Sequence, residues 1–540
     1  MNSQLAKDTK VLIVDDQVLA KGYMKYSLEE LGFGDITYVD KISLALTTIR
    51  NQRYDLIICS YNLKREQDGY YFYDEIKTNG ELPSSTAFVF ISADTNSDLV
   101  QSIIELQPDD FLAKPFTVKE LDRRLSRVLA RKKALHAVYI CIEKSLFQRA
   151  LSEVELFLGN PKNSEFFPLA LKIKGEMLCA CGHFAQAKDF YLAILKVQNF
   201  TWAQLGLINA YLRLDEDESA EKLVLRLAFK PESQLAAYDL LTALQIKQND
   251  FETALECVLM ASEISPRNIR RHKTALDLSR ITHDYETQFE AAKKIVRFAK
   301  NSIHDKPENY LNVARAGIDY AMTADEGDTD KLIKQANEYV RQLKVAFPKA
   351  ELQEQMKVIN VRLLYLENEK EKARALVEQL DEENWENEGV DALLDKAKAF
   401  HEVGLNERAQ AILEQLEFRC KSHSDQGEIF LHYIHQEIQE KSTIKCSSRE
   451  LNNTAVNYYR KGDIENALTS FTQAFTIMPK NASIALNLLQ LIAAKSTSLG
   501  ATKMSNQLVK KCIKTVENSV LSEEQQKRYH KVRSVLDGMA

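Results

Sequence analysis

The chain has little glycine and proline, with only 17 and 10 such residues among 540. Because these residues dominate turns, their scarcity leaves most of the chain available for helix. Long apolar runs are absent too, since no stretch reaches the roughly 18 residues that a membrane-spanning helix requires. The N-terminus passes directly from polar residues into 11–14 and two aspartates, without the apolar segment of a signal peptide. These absences predict a helix-rich, soluble and cytoplasmic protein without membrane contact.

Sequence signals for metal, disulfide and enzyme chemistry are also missing. The eight cysteines are scattered, without the CxxC pairs of a zinc site or the density of a disulfide framework. No HExxH pair, glycine-rich phosphate loop or nucleophile elbow occurs. The net charge of −6 is small for this length, so no whole-chain field favours nucleic acid. We therefore expect no enzymatic activity and no nucleic-acid partner.

The first 130 residues alternate between strand-length apolar runs and segments with helical periodicity. Apolar strands without polar alternation indicate a parallel sheet covered by helices on both faces. A chain of this length also exceeds the roughly 250–300 residues that one hydrophobic core serves, so at least two domains are expected. The predicted strands are 11–14, 35–39, 56–59, 87–91 and 110–112.

Polar residues follow four of these strands, and the ends of parallel strands meet at the edge of the sheet where ligands bind. In chain order they are Asp15 and Asp16, Ser60, Ser92, and Lys114 followed by Pro115. This set resembles the receiver domain of two-component response regulators over about residues 8–130. The resemblance implies a doubly wound, flavodoxin-like fold for this part of the chain.

The resemblance also implies roles for individual residues. Asp15, Asp16 and the backbone carbonyl of Asn62 correspond to Mg²⁺ ligands. Ser92 corresponds to the switch hydroxyl, Phe111 to the aromatic switch residue and Lys114 to the receiver lysine that precedes a cis-proline. The implied cofactor is Mg²⁺.

Ser60 departs from the family pattern, because it occupies the position of the aspartate that accepts the phosphoryl group. An ionised carboxylate is a nucleophile and a hard Mg²⁺ ligand at neutral pH, whereas a serine hydroxyl is neutral. We therefore predict a pseudo-receiver that accepts no phosphate and binds Mg²⁺ weakly. Two alternatives stay open: Ser60 replaces a natural aspartate by engineering, or Asp68 takes over the role. Asp55 could be mistaken for the acceptor, but it precedes the third strand, so we expect its side chain at the opposite edge of the sheet.

The helix that follows Thr117 is predicted to start with a capping box formed with Glu120 and to continue into the next domain without a flexible linker. Its basic residues would form either a docking face or, as we favour, a solvated helix surface. They are Arg123, Arg124, Arg127, Arg131, Lys132 and Lys133.

Beyond residue 130 the sequence repeats with a period of about 34 residues, which resembles tetratricopeptide (TPR) repeats. Small residues mark the crossing of paired helices at Ala150, Ala187, Ala220 and Ala254, and 202–206 matches the opening W-x-x-L-G pattern. The clearest repeats lie near 140–270 and 450–495. We predict a receiver domain at 1–130 and an all-α, TPR-like superhelical solenoid at 131–540, whose concave face would hold a peptide or helix.

The leading functional hypothesis is an adaptor in two-component signalling. It would bind other signalling proteins through the receiver surface and the repeat groove, and homodimerisation stays open. One alternative is a phosphorylation-gated response regulator with the TPR array as its output, which Ser92, Phe111 and Lys114 favour and Ser60 opposes. A second alternative is a nucleic-acid-binding regulator. The sequence near the C-terminus speaks against it, because no basic recognition helix occurs there.

Overall fold

The computed structural model describes residues 3–63, 69–94, 97–300, 302–324, 326–380, 388–422, 428–446, 448–499, 506–519 and 521–537. The chain divides into two compact units. Unit 1 comprises Met1–Asn268 with Ala299–Asp305, and unit 2 comprises Ile269–Phe298 with Lys306–Ala540. The predicted domain boundary at residue 130 falls inside unit 1 and stays a prediction.

Unit 1 begins with a five-stranded, entirely parallel sheet in the order β2-β1-β3-β4-β5. Each predicted strand is confirmed to within one residue at either end. The strands are β1 Lys10–Val14, β2 Asp35–Val39, β3 Leu56–Ser60, β4 Ala87–Ser92 and β5 Asp110–Ala113. The helices are α1 Ser3–Asp8, α2 Val18–Glu30, α3 Ile42–Asn51, α4 Gly69–Thr78, α5 Ser97–Leu106 and α6 Val118–Ala134. The predicted doubly wound α/β fold is confirmed.

Alternate residues of the strands contribute to two separate hydrophobic cores, because successive side chains of a strand point to opposite faces of the sheet. On one face, Ile13 and Ile58 pack with Met24 of α2 and with the apolar side of α6. On the other, Leu12 and Ile57 pack with residues of α3, α4 and α5. Burial on both faces explains why the central strands β1, β3 and β4 carry apolar residues on both faces.

The junction after the sheet differs slightly from the prediction. Thr117 caps α6, accepting a hydrogen bond from the backbone N–H of Glu120. The helix ends at Ala134, and α7 begins two residues later, so a single residue, Leu135, interrupts the expected continuous helix. Leu135 is fully buried, so the break between α6 and α7 lies within the hydrophobic core of the first helices.

Twenty-two α-helices, α7–α28, follow in the part of the chain that the structure describes. In unit 1 these are α7 His136–Glu143, α8 Phe147–Leu158, α9 Phe167–Ala180, α10 Phe184–Val197, α11 Thr201–Arg213, α12 Asp217–Ala228, α13 Gln234–Lys247 and α14 Phe251–Ile264, with a 3-10 helix at Pro161–Phe166. The four predicted crossing alanines between 150 and 254 are all fully buried. None of the described helices combines the length and apolar character needed to cross a bilayer.

Tyr191 of α10 fixes how consecutive helix pairs approach each other in unit 1. Its ring lies against Gly175 of α9 and Gly206 of α11, and a Cβ added to either glycine would overlap the ring. Tyr191 is 2% exposed and belongs to a continuous core that extends from α7 to α11. One aromatic side chain therefore joins the first helices of two successive pairs.

Unit 2 is entirely helical over its described residues. Its helices are α15 Ile269–Ile281, α16 Tyr285–Ala299, α17 Pro307–Thr323, α18 Glu326–Ala346, α19 Gln353–Leu366, α20 Lys370–Val377, α21 Val390–Glu402, α22 Asn406–Ser422, α23 Glu428–Thr443, α24 Ser448–Arg460, α25 Ile464–Ile477, α26 Ala482–Leu499, α27 Asn506–Glu517 and α28 Glu523–Asp537. Consecutive helices pack on each other in α17–α18, α19–α20, α21–α22 and α24–α25, and α15 also packs on α23 and α17 on α24. Helices distant in sequence therefore meet within this unit.

Candidate functional site

The predicted polar residues meet at the carboxyl edge of the sheet. Ser60 is the last residue of β3 and Ser92 the last of β4, while Lys114 directly follows β5. The Lys114 Nζ lies 2.9 Å from Oδ2 of Asp15, which follows β1. Strands 1, 3, 4 and 5 therefore bring these side chains together, as the sequence predicts.

Asp15, Ser60 and Ser92 at this edge also form hydrogen bonds with the chain's own backbone. The second oxygen of Asp15 accepts the backbone N–H of Gln17 at 2.9 Å, and the Ser92 hydroxyl accepts that of Asp94 at 3.0 Å. Ser60, 6% exposed, directs its hydroxyl to the carbonyl of Asn62 at 3.4 Å. This last distance is at the limit of a hydrogen bond, so the Ser60 hydroxyl is only weakly held.

Mg²⁺ requires near-octahedral oxygen ligands, so Asp15, Asp16 and the Asn62 carbonyl would supply only part of its coordination shell. Both oxygens of Asp15 accept hydrogen bonds, one from the Lys114 ammonium and one from the backbone N–H of Gln17, and the Asn62 carbonyl faces the Ser60 hydroxyl. Across the described residues, no three His, Cys, Asp or Glu side chains are grouped to hold a metal. The weak site predicted at Asp15, Asp16 and Asn62 stays a prediction.

Of the two other aspartates that could be considered as acceptors, Asp55 and Asp68, the structure describes only Asp55. Asp55 lies before β3, where its carboxylate accepts the backbone N–H of Lys10 at 2.9 Å, at the amino edge of the sheet. The geometry therefore places it away from Lys114. Asp68 lies outside the described residues.

Comparison with known proteins identifies this part of the chain. The sequence profile described as the response regulator receiver domain matches residues 11–126. A relative named "Probable chemotaxis protein CheY" from Rhizobium etli is 31% identical over 129 residues, which cover 98% of that protein and 24% of this chain. The chain belongs to the response regulator receiver family.

Two further comparisons describe the same receiver segment. The transcriptional regulatory protein LytR of Staphylococcus aureus is 29% identical over 124 residues, which span about half of its own length (48%) and 23% of this chain. The solved CheY-like receiver domain from Methylobacillus flagellatus is 30% identical, with 22% of this chain and 98% of that chain covered and a TM-score of 0.20.

Phe111 and the basic residues of α6 complete the receiver. Phe111 is partly buried and packs against the core beneath α4 and α5. Arg124 and Arg127 pair with Asp110, and Arg131 and Lys132 pair with Asp109. Four of the six basic side chains therefore pair with Asp109 or Asp110, whereas Arg123, Arg127 and Lys133 are exposed, so the expected solvated surface is found only in part.

Contacts between the receiver and the helices of unit 1 were not predicted. The guanidinium of Arg267 lies over the rings of Tyr61 and Tyr70, 5.6 and 5.8 Å from their centroids. Tyr61 directly follows Ser60, and burial together with Glu105 raises the pKa of Tyr70, so its ring stays neutral. We call this arrangement the Arg267 clamp.

Three polar contacts flank the Arg267 clamp. Ser265 and Asn268 both donate hydrogen bonds to the Glu105 carboxylate of α5. The His304 ring lies 3.0 Å from the Asp74 carboxylate of α4. These contacts join positions about 160 and 230 residues apart, which no local spacing in the sequence signals.

Unit 2 contains a buried ion cluster that was also not predicted. Arg362 of α19, 1% exposed, is its centre. Its guanidinium binds Asp395 at 2.7 Å, Asp319 at 2.8 Å and Glu402 at 2.6 Å. Burial alone would raise the pKa of Asp319, but Lys398 and Arg362 outweigh it and lower that pKa well below its ordinary value. We call these residues, with Arg315 beside Asp395, the Arg362 cluster.

Contacts between helices that are distant in sequence lie on the side of unit 2 that carries the Arg362 cluster. His283 lies 2.8 Å from the Glu440 carboxylate, and the Tyr285 hydroxyl donates to the carbonyl of Ile477 at 3.1 Å. The space left between these groups and the Arg362 cluster is about 70 Å³. Such a cavity holds a few waters rather than a peptide.

His401, which lines this cavity, should make unit 2 sensitive to acid. Burial, with Lys441 nearby, lowers the His401 pKa from 6.5 to about 4, and its Nε2 is 2.8 Å from the Ile444 carbonyl. Between these pH values the unfolded chain binds a proton that the folded ring does not, so stability falls as pH decreases from 6.5 to 4. At most about 3 kcal/mol is lost in this way.

The matched variant for this prediction is His401→Gln, whose amide N–H can donate to the same carbonyl but does not titrate. Thermal unfolding of both proteins should be followed from pH 7.5 to 4. The melting temperature of the wild type should fall more steeply than that of the variant below pH 6.5. Parallel curves would show that His401 does not cause the acid sensitivity.

Proposed function

We propose that this chain is a signalling adaptor, with a receiver domain that works by contact rather than by accepting phosphate. The observation that carries the proposal is the hydroxyl of Ser60 at the end of β3, beside the Asp15–Lys114 pair. A neutral hydroxyl without an adjacent general base is a weak nucleophile. With one carboxylate fewer, the edge also holds Mg²⁺ weakly, although receivers of this family typically use that ion.

The Arg267 clamp offers a route from the receiver to the helices. It holds Tyr61, the neighbour of Ser60, and Tyr70 at the start of α4. A partner that displaces Arg267 from these rings would change the contact between the receiver and the α14–α15 turn. The signal would thus pass through packing within unit 1.

Arg267→Ala tests this coupling. A cation–π contact contributes about 0.5–1 kcal/mol at an exposed site and about 2 when desolvated. Loss of about 1–2 kcal/mol should increase local opening about 5- to 30-fold. Amide hydrogen exchange of the full-length chain should therefore accelerate over α4.

Arg226→Ala provides the control, because it removes an exposed arginine from α12. It should leave exchange in α4 unchanged. Equal exchange in the wild type and Arg267→Ala would show that the Arg267 clamp does not stabilise this face.

The helical region is proposed to be TPR-like and to bind proteins rather than to catalyse a reaction. The buried alanines at a period of about 34 residues and the packing of Tyr191 between Gly175 and Gly206 support this interpretation. The pairs α7–α14 of unit 1, which carry the buried alanines of the repeat pattern, are the better candidates for a partner segment. The proposed partners are histidine kinases or other two-component proteins.

Affinity capture of the full-length chain from its native cells tests this function, with and without acetyl phosphate and Mg²⁺. An adaptor that works by contact should recover the same signalling proteins under both conditions. Partners that bind only after acetyl phosphate treatment would support the phosphorylation-gated alternative. Recovery of nucleic acid in place of signalling proteins would support the second alternative.

A further inference from the structure

A large cavity opens beside Ser60, on the α2 side of the sheet. Its volume is about 430 Å³. Its floor is formed by Ile13, Ile58 and Ile91, each at most 2% exposed, and Ala20 and Met24 of α2 form one wall. Protein cores contain few voids larger than a water molecule, whereas small-molecule sites have volumes of about 300–1,000 Å³. The space is therefore a ligand-sized pocket rather than a packing defect.

The walls of this pocket are unsuited to water. A buried water needs two to four polar partners, and most of the lining is aliphatic or aromatic. At one side of the pocket, the Tyr23 hydroxyl donates to the carbonyl of Phe116 at 2.9 Å, and the two rings lie 5.7 Å apart. An apolar molecule that displaced water from this space would gain from burial of its surface.

Three polar residues of the lining, Asp15, Lys114 and Ser60, determine which charge and which polar group the ligand can carry. Asp15 and Lys114 already neutralise each other at 2.9 Å. An added carboxylate would be repelled by Asp15, and an added ammonium by Lys114. The remaining group is the Ser60 hydroxyl, which can both donate and accept and, among the described residues, has a 3.4 Å contact to Asn62.

We propose that this pocket binds an uncharged, largely apolar small molecule that carries one hydrogen-bonding group directed at Ser60. Serine at this position would then have a positive role, because an aspartate would place a carboxylate in the wall and an apolar ligand would have to desolvate it. The inference does not depend on which protein the adaptor binds. It also stands apart from the phosphorylation assay, because binding and phosphorylation are measured separately.

The probe for this site is N-phenyl-1-naphthylamine, a neutral dye that fluoresces in apolar surroundings, titrated into the full-length chain. Saturable, one-to-one binding is expected. Ala20→Phe, which fills the pocket, and Ser60→Asp, which adds a charge to its wall, should each weaken binding by about tenfold or more. Val18→Phe adds the same ring on α2 at a position that is 83% exposed and should leave binding unchanged.

Competition establishes the chemical class of the ligand. 1-Decanol should displace the dye at a concentration about tenfold lower than decanoate or decylammonium. Better displacement by either charged compound would overturn the assignment of a neutral ligand. Absence of saturable binding, or equal losses in Val18→Phe and Ala20→Phe, would overturn the site itself.

Met24 gives a readout that does not depend on the folding of a variant. In the wild-type chain carrying ¹³C-methyl methionine, addition of the dye should shift the Met24 signal, which is assigned by its loss in Met24→Leu. A Met24 signal that does not move while the dye is bound would place the dye elsewhere and refute the proposal.

Discussion

Acetyl phosphate and Mg²⁺ should leave the wild-type chain without covalent phosphate, whereas Ser60→Asp should incorporate up to one phosphate per chain. The substitution restores an ionised oxygen nucleophile at the end of β3 and a third carboxylate near Asp15 and Asp16, where Mg²⁺ can bridge it to the incoming phosphate. Lys114 is already present at this edge. Intact-mass spectrometry measures the result directly.

Ser60→Asn is the matched control, because it has nearly the shape of aspartate without its charge, and it should remain unphosphorylated. Asp15→Asn in the Ser60→Asp background should reduce incorporation, since it removes a metal ligand. Stoichiometric phosphorylation of the wild type would refute the pseudo-receiver proposal. Phosphate on Ser60→Asn would show that another residue, such as Asp68, is the acceptor.

Arg362→Met should cause the largest loss of stability in unit 2. Arg362 is 1% exposed and binds Asp319, Asp395 and Glu402. Methionine retains much of the apolar stem but leaves three buried carboxylates with only Arg315 and Lys398 to neutralise them. Removal of one partner from a buried ion pair costs about 3–5 kcal/mol.

Urea unfolding of the full-length chain, followed by circular dichroism, measures this loss. The unfolding of unit 2 should shift to much lower urea concentration in Arg362→Met. Arg341→Met is the matched control, because Arg341 pairs with Glu338 on the surface of α18 and is 76% exposed. Similar urea midpoints for the two variants would show that the Arg362 cluster contributes little to stability.

The receiver fold could be predicted because its determinants are local. Four of the five strands carry an uninterrupted apolar run, with β2 and its Thr37 as the exception, and the residue that follows each run lies at the functional edge whatever the packing of the helices. Asp15, Ser60 and Lys114 were therefore placed correctly from strand ends alone. The break at Leu135 could not be predicted, because no glycine or proline marks it.

The Arg362 cluster and the Arg267 clamp could not be predicted for the opposite reason. Arg362 binds partners that are 33, 40 and 43 residues away, on the first helices of neighbouring pairs. Sequence periodicity reveals only contacts three or four positions apart on one helix. From sequence alone, a charged residue on such a helix is predicted to be solvent-exposed. Only the packing of the helix pairs shows that it is buried.

The packing of Tyr191 links the evolutionary choices at three positions. Because its ring occupies the space that side chains at Gly175 and Gly206 would need, any larger residue at either glycine requires a smaller residue at 191. Homologues should therefore change these three positions together or not at all. Such correlated substitutions would show how successive helix pairs are aligned, even in homologues whose sequences no longer match the repeat consensus.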